Sequence, residues 1–343
     1  MSENKERIVL DVAYQPQVRA KTDTKRIMLD VIIGLLPAVV VAVIQFGWYP
    51  LVVIASSILS CVFFEWLYRK LMKKDCSIGD LSAVVTGLLL ALVLSPSAPW
   101  WLPVIGAAFA IVVVKQLYGG IGKNFLNPAL AGRAFLLASY ALLMGIWTVP
   151  KSLAGSVDAV TMATPLSYLY SGAAMPEYYS VGKLLIGSRA GCIGEISSLA
   201  VIVGGLYLLV RKVISWRIPV STIGTVAVLT LIFGHEGYGN LDWMVYNLLS
   251  GGLLLGAFFM ATDYATSPVT LNGQLLYGVG VGALTVLIRY FGGFPEGISY
   301  AILIMNLCTW AIDKGFRRHQ FGVSREDIAA EKAAKKAAKE AAK

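Results

Sequence analysis

Apolar residues in this chain run in long blocks separated by short polar connections, and the length of the blocks decides its class. A helix rising 1.5 Å per residue needs about 20 apolar residues to cross a hydrocarbon core of about 30 Å. The pattern predicts about ten such segments, at 27–46, 50–70, 81–95, 100–118, 129–148, 196–213, 218–234, 244–261, 274–291 and 297–313. The third is short, because Ser95-Pro96-Ser97 stops it. The expected fold is all-α: a polytopic integral membrane protein whose transmembrane domain spans 27–313, between an N-terminal segment, 1–26, and a basic tail, 314–343. The first 26 residues are polar and lack the apolar stretch of a cleavable signal, so the block from Ile27 is expected to direct insertion itself.

Composition agrees with the pattern. Hydrophobic residues make up 57% of the chain and charged residues 14%, against about 45–50% and about 25% in soluble domains. The net charge of +9 does not point to nucleic acid, because the cations sit in short clusters between apolar blocks. Lys and Arg near helix ends stay cytoplasmic. Arg69, Lys70, Lys73 and Lys74 follow the second block, Lys115 and Lys123 the fourth, and Arg211, Lys212 and Arg217 the sixth. With the cations of the first 26 residues and of the tail, they put both termini in the cytoplasm and the long connection 149–195 outside. The cysteines, Cys61, Cys76, Cys192 and Cys308, are scattered without CxxC spacing and are read as small packing residues.

Polar groups beside membrane segments are the candidates for chemistry. Gly119-Gly120-Ile121-Gly122-Lys123-Asn124-Phe125-Leu126-Asn127-Pro128 is a glycine-rich turn entering a helix that carries Arg133. It reads either as a ligand contact, with Lys123 and Arg133 offering charge to an anion and Asn127 beside them, or as a tight loop with snorkelling cations. Asp263, in Ala261-Thr262-Asp263-Tyr264-Ala265-Thr266-Ser267-Pro268, is the first candidate for an ion path, and it could equally end a helix. Asp30, Glu65 and Asp80 lie near block ends, where interfacial water would solvate them. Gly251, Gly252 and Gly256 have the spacing of close helix packing. In the long connection, Asp158-Ala159-Val160-Thr161-Met162-Ala163-Thr164-Pro165 is a turn-like stretch rich in hydroxyls. The only histidines are His235 and His319, so no hydrolase constellation is supported.

Taken together, these segments resemble the D subunits of the Rnf ion-translocating oxidoreductases and the related B subunits of the sodium-translocating NADH:quinone reductases. The marks run in order: Ala83 to Leu92, Gly119 to Phe135, Gly191-Cys192-Ile193-Gly194-Glu195-Ile196-Ser197, Trp216-Arg217-Ile218-Pro219, and Leu249 to Asp263. The short N-terminal segment favours the Rnf type. The resemblance implies FMN joined through its phosphate to a threonine in a pattern like Asp-x-x-(Ser/Thr)-Gly-Ala-Thr. Asp158, Thr161, Ala163 and Thr164 match that pattern, Thr164 in the acceptor position, while Met162 replaces the usual glycine.

Further implications follow from the resemblance alone. They are electron relay between ferredoxin and NAD coupled to Na⁺ or H⁺ movement across a bacterial cell membrane, and partner subunits carrying a second FMN and iron–sulfur centres. The chain would be a redox subunit rather than a complete enzyme, with room in the family for a second, noncovalent flavin (riboflavin). The rival class is a secondary transporter or channel without a redox cofactor, which has no use for the threonine motif.

Overall fold

The computed structural model describes residues 23–316, apart from 76, 154–160, 172–174, 177–178, 235–237 and 294–295. Every predicted apolar block is occupied by helix. α1 (Thr24–Phe46) starts where the Asp23 side chain accepts the Thr24 amide, and α2 (Tyr49–Leu71) starts with Pro50 in its first turn. α3 (Ser82–Leu92) stops ahead of Ser95-Pro96. α4 (Leu102–Gln116) changes to π-helical winding from Phe109. α5 (Pro128–Ser139) has Asn127 as its cap, and a one-turn α6 (Ala141–Met144) follows. The long connection contains α7 (Pro165–Tyr170) and α8 (Val181–Ile186). α9 (Ser198–Val210), α10 (Arg217–Phe233), α11 (Asn240–Leu249), α12 (Leu253–Met260, π-helical from Gly256), α13 (Leu271–Phe291) and α14 (Ile298–Gly315) complete the chain.

The lengths differ from the expectation of about ten full spans. Among the described residues, α1, α2 and α13 are long and apolar enough to cross a membrane alone, and α11 with α12, bent by 61°, makes a fourth if the pair counts as one. α3, α4, α9 and α10 are apolar but shorter, at 10–17 residues. Physical interruptions account for the shortening: Ser95-Pro96 after α3, the break at Ser250-Gly251-Gly252, where Gly251 has φ +70, and the stop at Tyr140 after α5.

The contact order repeats along the chain. α2 packs on α3 and α4 as α10 packs on α11 and α13, and α5 lies on α4 as α14 lies on α13. In each half the third helical block is the interrupted one, and α1 crosses α9. That crossing is close: a Cβ on Gly204 would lie 1.9 Å from the Gly34 carbonyl oxygen. Gly204→Ala therefore forces the two helices apart, an overpacking cost of about 1–3 kcal/mol. The expected result is a lower unfolding temperature of the purified chain in detergent, and a variant melting with the parent would show that the crossing yields without strain.

Outside this core the surface is apolar. Val40, Ile44, Leu59, Ile232, Leu287 and Leu307 are exposed, as lipid-facing residues would be, and Trp48, Trp216 and Trp310 are exposed at or near helix ends. The long connection folds back on the helices. Its start is pinned to α1 by the Lys151 amide donating to the Gln45 carbonyl at 2.9 Å. Leu166 and Leu169 of α7 are buried with Trp243 of α11, and Tyr170 meets Trp243 and Tyr290 edge-on.

Candidate functional site

Thr164 begins α7, preceding Pro165, and its hydroxyl accepts the Ser167 amide at 3.3 Å. A residue in this position is preferred as a cap because its oxygen satisfies an amide that the helix leaves free. Although it lies in the long connection, Thr164 is buried, 7% exposed, and lines a cavity of about 240 Å³. Arg133 of α5, Ser167 of α7, Glu296 and Ser299 supply the cavity's other polar groups, and Trp147 and Tyr300 its aromatic walls. Thr161 is exposed and pairs with Thr148 in a short antiparallel bridge, the Ala163 carbonyl accepts the Tyr179 hydroxyl at 3.1 Å, and Met162 is half-buried. Asp158 lies outside the described residues.

Behind the cavity is a buried charged cluster. Arg133 Nη1 donates to Ser299 Oγ at 2.7 Å, Nη2 contacts the Glu296 carboxylate and lies 3.6 Å from Cys192 Sγ, and Nε has no partner among the described residues. The turn Gly191–Ser197 inserts here because its amides complete the end of α3: Ile193 donates to the Leu94 carbonyl at 3.0 Å and Gly194 to that of Leu92 at 2.7 Å. This carries Cys192 and Glu195 against Glu296, with the thiol and the two carboxylates within 4.8 Å of one another. Burial, followed by the charge of Glu296, pushes the Glu195 carboxyl up to about 7, against the pull of Arg133 and Arg189. Cys192, read from sequence as a packing residue, is thus a neighbour of charge. Neither Glu296 nor Arg189 was singled out by sequence reasoning, and the only signal for Glu296 was a carboxylate between Pro295 and Gly297 at the edge of an apolar block.

Asn127 and Asp263 belong to a second cavity, of about 200 Å³, lined also by Lys115, Asn124, Thr86 and Thr262. Asn127 caps α5, accepting the Ala129 and Leu130 amides at 3.1 and 3.3 Å, and its Nδ2 donates to the Met260 carbonyl at 3.2 Å. Asp263 accepts the Thr266 hydroxyl at 3.2 Å. Arg133 stands six residues beyond Asn127 on the same helix, about 9 Å along its axis, so α5 links two sites rather than building one. The glycine-rich turn contributes Ile121, Gly122 and Asn124 to the second cavity.

The span-end carboxylates differ from expectation. Glu65 is buried and accepts Lys115 Nζ at 2.7 Å, and Asp30 accepts the Tyr207 hydroxyl at 2.9 Å and Arg211 Nη2 at 3.1 Å. Asp80 is half-buried and accepts the amide and the hydroxyl of Ser82, at 2.8 and 2.6 Å.

Among known proteins, the model of the NQR2, RnfD, RnfE family matches residues 11–322. Over 92% of this chain and 96% of the relative, the sequence is 46% identical to the D subunit of the Na⁺-translocating ferredoxin:NAD⁺ oxidoreductase complex of Acetobacterium woodii. Over 92% and 97%, it is 42% identical to the D subunit of the proton-translocating ferredoxin:NAD⁺ oxidoreductase complex of Clostridium ljungdahlii. The D subunit of an ion-translocating oxidoreductase complex of Shewanella amazonensis is 37% identical, over 91% and 97%.

Proposed function

This chain belongs to the NQR2, RnfD, RnfE family, and from that premise we propose that it is the membrane-embedded, FMN-carrying subunit of an ion-translocating ferredoxin:NAD oxidoreductase complex. The observation that carries this reading is Thr164: it occupies the acceptor position of the family's flavin motif and lines a cavity shared with a buried arginine and two aromatic residues. The residues fit an FMN. Thr164 offers the hydroxyl for a phosphoester, Arg133 offers positive charge and an Nε–H with no partner among the described residues, and Trp147 and Tyr300 supply flat apolar walls. Glu296 and Ser299 hold the Arg133 guanidinium in place. Asp158, Thr161 and Ala163 serve recognition of the loop during attachment. A bound flavin supplies one-electron transfer between the centres of partner subunits, which include a second FMN-bearing subunit and iron–sulfur subunits, while the protein provides placement and electrostatics.

The second cavity, with Asn127, is the place for a further, noncovalent flavin of the riboflavin kind. Asp263 on its wall is the candidate for the path of the translocated Na⁺ or H⁺. The chain is a component of the translocase and not catalytic alone. In-gel fluorescence of the denatured chain, produced together with an extracytoplasmic flavin transferase, tests the reading. A yellow-green band is expected, and its absence would favour a transporter without redox cofactor.

The proposed topology is ten membrane segments in a bacterial cell membrane, with both termini cytoplasmic and the Thr164 loop outside. Two five-segment halves with a matching contact order support the count. The sidedness rests on the Lys and Arg bias, and three of those cations stack on tryptophan rings, Lys70 over Trp66, Arg217 over Trp216 and Lys314 over Trp310. A reporter active only in the cytoplasm should give signal when fused after Lys343 and none when inserted at Lys151. Signal from the Lys151 insertion would invert the orientation and remove the attachment site from the transferase.

A further inference from the structure

Behind the Thr164 cavity the buried Glu195, Arg133 and Arg189 meet the half-buried Glu296, and among the described residues Glu195 has no ion pair. Glu296 is paired with Arg133. Arg189 does not answer Glu195 in the same way, because its Nε and Nη2 both donate to the Glu195 backbone carbonyl, Nε at 2.6 Å. Glu195 is 3% exposed, and its Oε1 has no hydrogen-bond partner among the described residues. That oxygen is turned toward the α11–α12 break, where a Cβ on Gly252 would stand 2.5 Å from it. The Cys192 thiol is a side-chain hydrogen-bond partner of this carboxyl, and a buried carboxylate with one oxygen left bare carries its negative charge at high cost and favours a proton.

The groups that face Glu195 are Glu296 ahead of α14, Arg133 on α5, Arg189 and Cys192 on its own turn, and Arg289 on α13. Cys192, Glu195 and Glu296 have the proximity of a metal site. Yet Arg133 Nη2 lies 3.6 Å from the Cys192 sulfur, and Arg189 stands alongside. The guanidiniums already supply the positive charge that a divalent ion would bring, so the cation suited to the remaining carboxylate is a proton.

We propose that Glu195 binds a proton when the flavin in the Thr164 cavity is reduced and releases it on reoxidation; this rests on the flavin reading above. In the balanced step, one electron passes from a reduced iron–sulfur or flavin centre of a partner subunit to the flavin. One hydronium ion of the aqueous phase gives up its proton and becomes water as an O–H bond forms on the Glu195 carboxylate, so the net charge of the compartment is unchanged. Glu296 and Arg133 are shared between cavity and cluster, so negative charge gained in the cavity acts on Glu195 through a poorly solvated region where Coulomb interactions are strong. Reduction therefore raises the affinity of Glu195 for a proton. Uptake is largest from neutral pH upward, between the oxidised and reduced affinities, and vanishes well below neutrality, where the group is protonated in both states.

The test is an infrared difference spectrum of the flavin-loaded complex between its oxidised and dithionite-reduced forms, slightly above neutral pH. A protonated-carboxyl C=O band should appear on reduction, shift in D₂O, vanish in Glu195→Gln and return at a displaced position in Glu195→Asp. The flavin midpoint potential, followed against pH, should lose a component in Glu195→Gln. Each tenfold change in proton affinity corresponds to about 59 mV for one electron. No such band in the parent, or the same band in Glu195→Gln, overturns the proposal. If Glu195→Gln fails to assemble, the parent and Glu195→Asp decide, and an identical band position in both overturns it. In-gel flavin fluorescence is read first: no flavin overturns the function proposed above and this step with it, whereas flavin without the carboxyl band overturns this step alone.

Discussion

Thr164→Val should give a chain that assembles and carries no covalent flavin. Valine matches threonine in shape but has no hydroxyl to esterify, so the covalent cofactor is expected to fall to background. Packing is expected to survive with a modest loss, because the substitution also removes the cap on the Ser167 amide, worth about 0.5–2 kcal/mol. Thr164→Ser keeps both the hydroxyl and the cap and should retain flavin. Thr161→Val should retain it too, since Thr161 is exposed and occupied with the Thr148 bridge rather than with the cavity. In-gel fluorescence reads all three variants, and a band from Thr164→Val at parental intensity would remove the residue from its proposed role.

Arg133→Leu should have the largest effect on stability. The guanidinium is buried against Glu296 and Ser299, and removing it leaves the Glu296 carboxylate beside that of Glu195 without compensation. Breaking one partner out of a buried pair costs about 3–5 kcal/mol. The expected result is poor assembly and a much lower unfolding temperature in detergent. The loss should deepen with rising pH. Burial already raises the Glu195 carboxyl, and losing Arg133 removes a charge that pulls it down, so the folded chain holds that proton more tightly than the unfolded one, a stabilisation present at low pH and lost as the pH rises. Removing both charges, in Arg133→Leu with Glu296→Leu, should recover part of the loss. A single variant as stable as the parent at all pH values would mean that the pair is solvated.

The helices were legible in the sequence because apolar blocks of membrane length leave the backbone no other way to satisfy its hydrogen bonds. Their interruptions were legible only where a residue type announced them, as at Ser95-Pro96. The π-helical turns at Phe109–Gln116 and Gly256–Met260 have no such marker, since winding depends on what packs alongside.

Thr164 was legible through its motif, and Arg133 through its place after a glycine turn. That they share a cavity was not, because this depends on where α7 packs, with Leu166 and Leu169 buried against Trp243 of α11. The same holds for Glu65 and Asp30. Each sits near a block end, where water is the default partner, yet Lys115 stands 50 residues from the first and Arg211 stands 181 from the second. Their pairing is a product of helix packing that no local pattern encodes. Glu195 lay inside a recognisable stretch, but that its Oε1 has no donor among the described residues becomes visible only once Arg189 is seen to spend hydrogen bonds on the backbone carbonyl.

The central claim, that Thr164 carries the flavin, is tested most directly by mass spectrometry of tryptic peptides from the parent chain made with a competent transferase. Cleavage after Lys151 and Lys183 releases the peptide 152–183, which contains both Thr161 and Thr164. That peptide is expected with the added mass of an esterified FMN, and fragmentation should place the addition on Thr164. The peptide recovered only unmodified, or modified at Thr161, would contradict the claim.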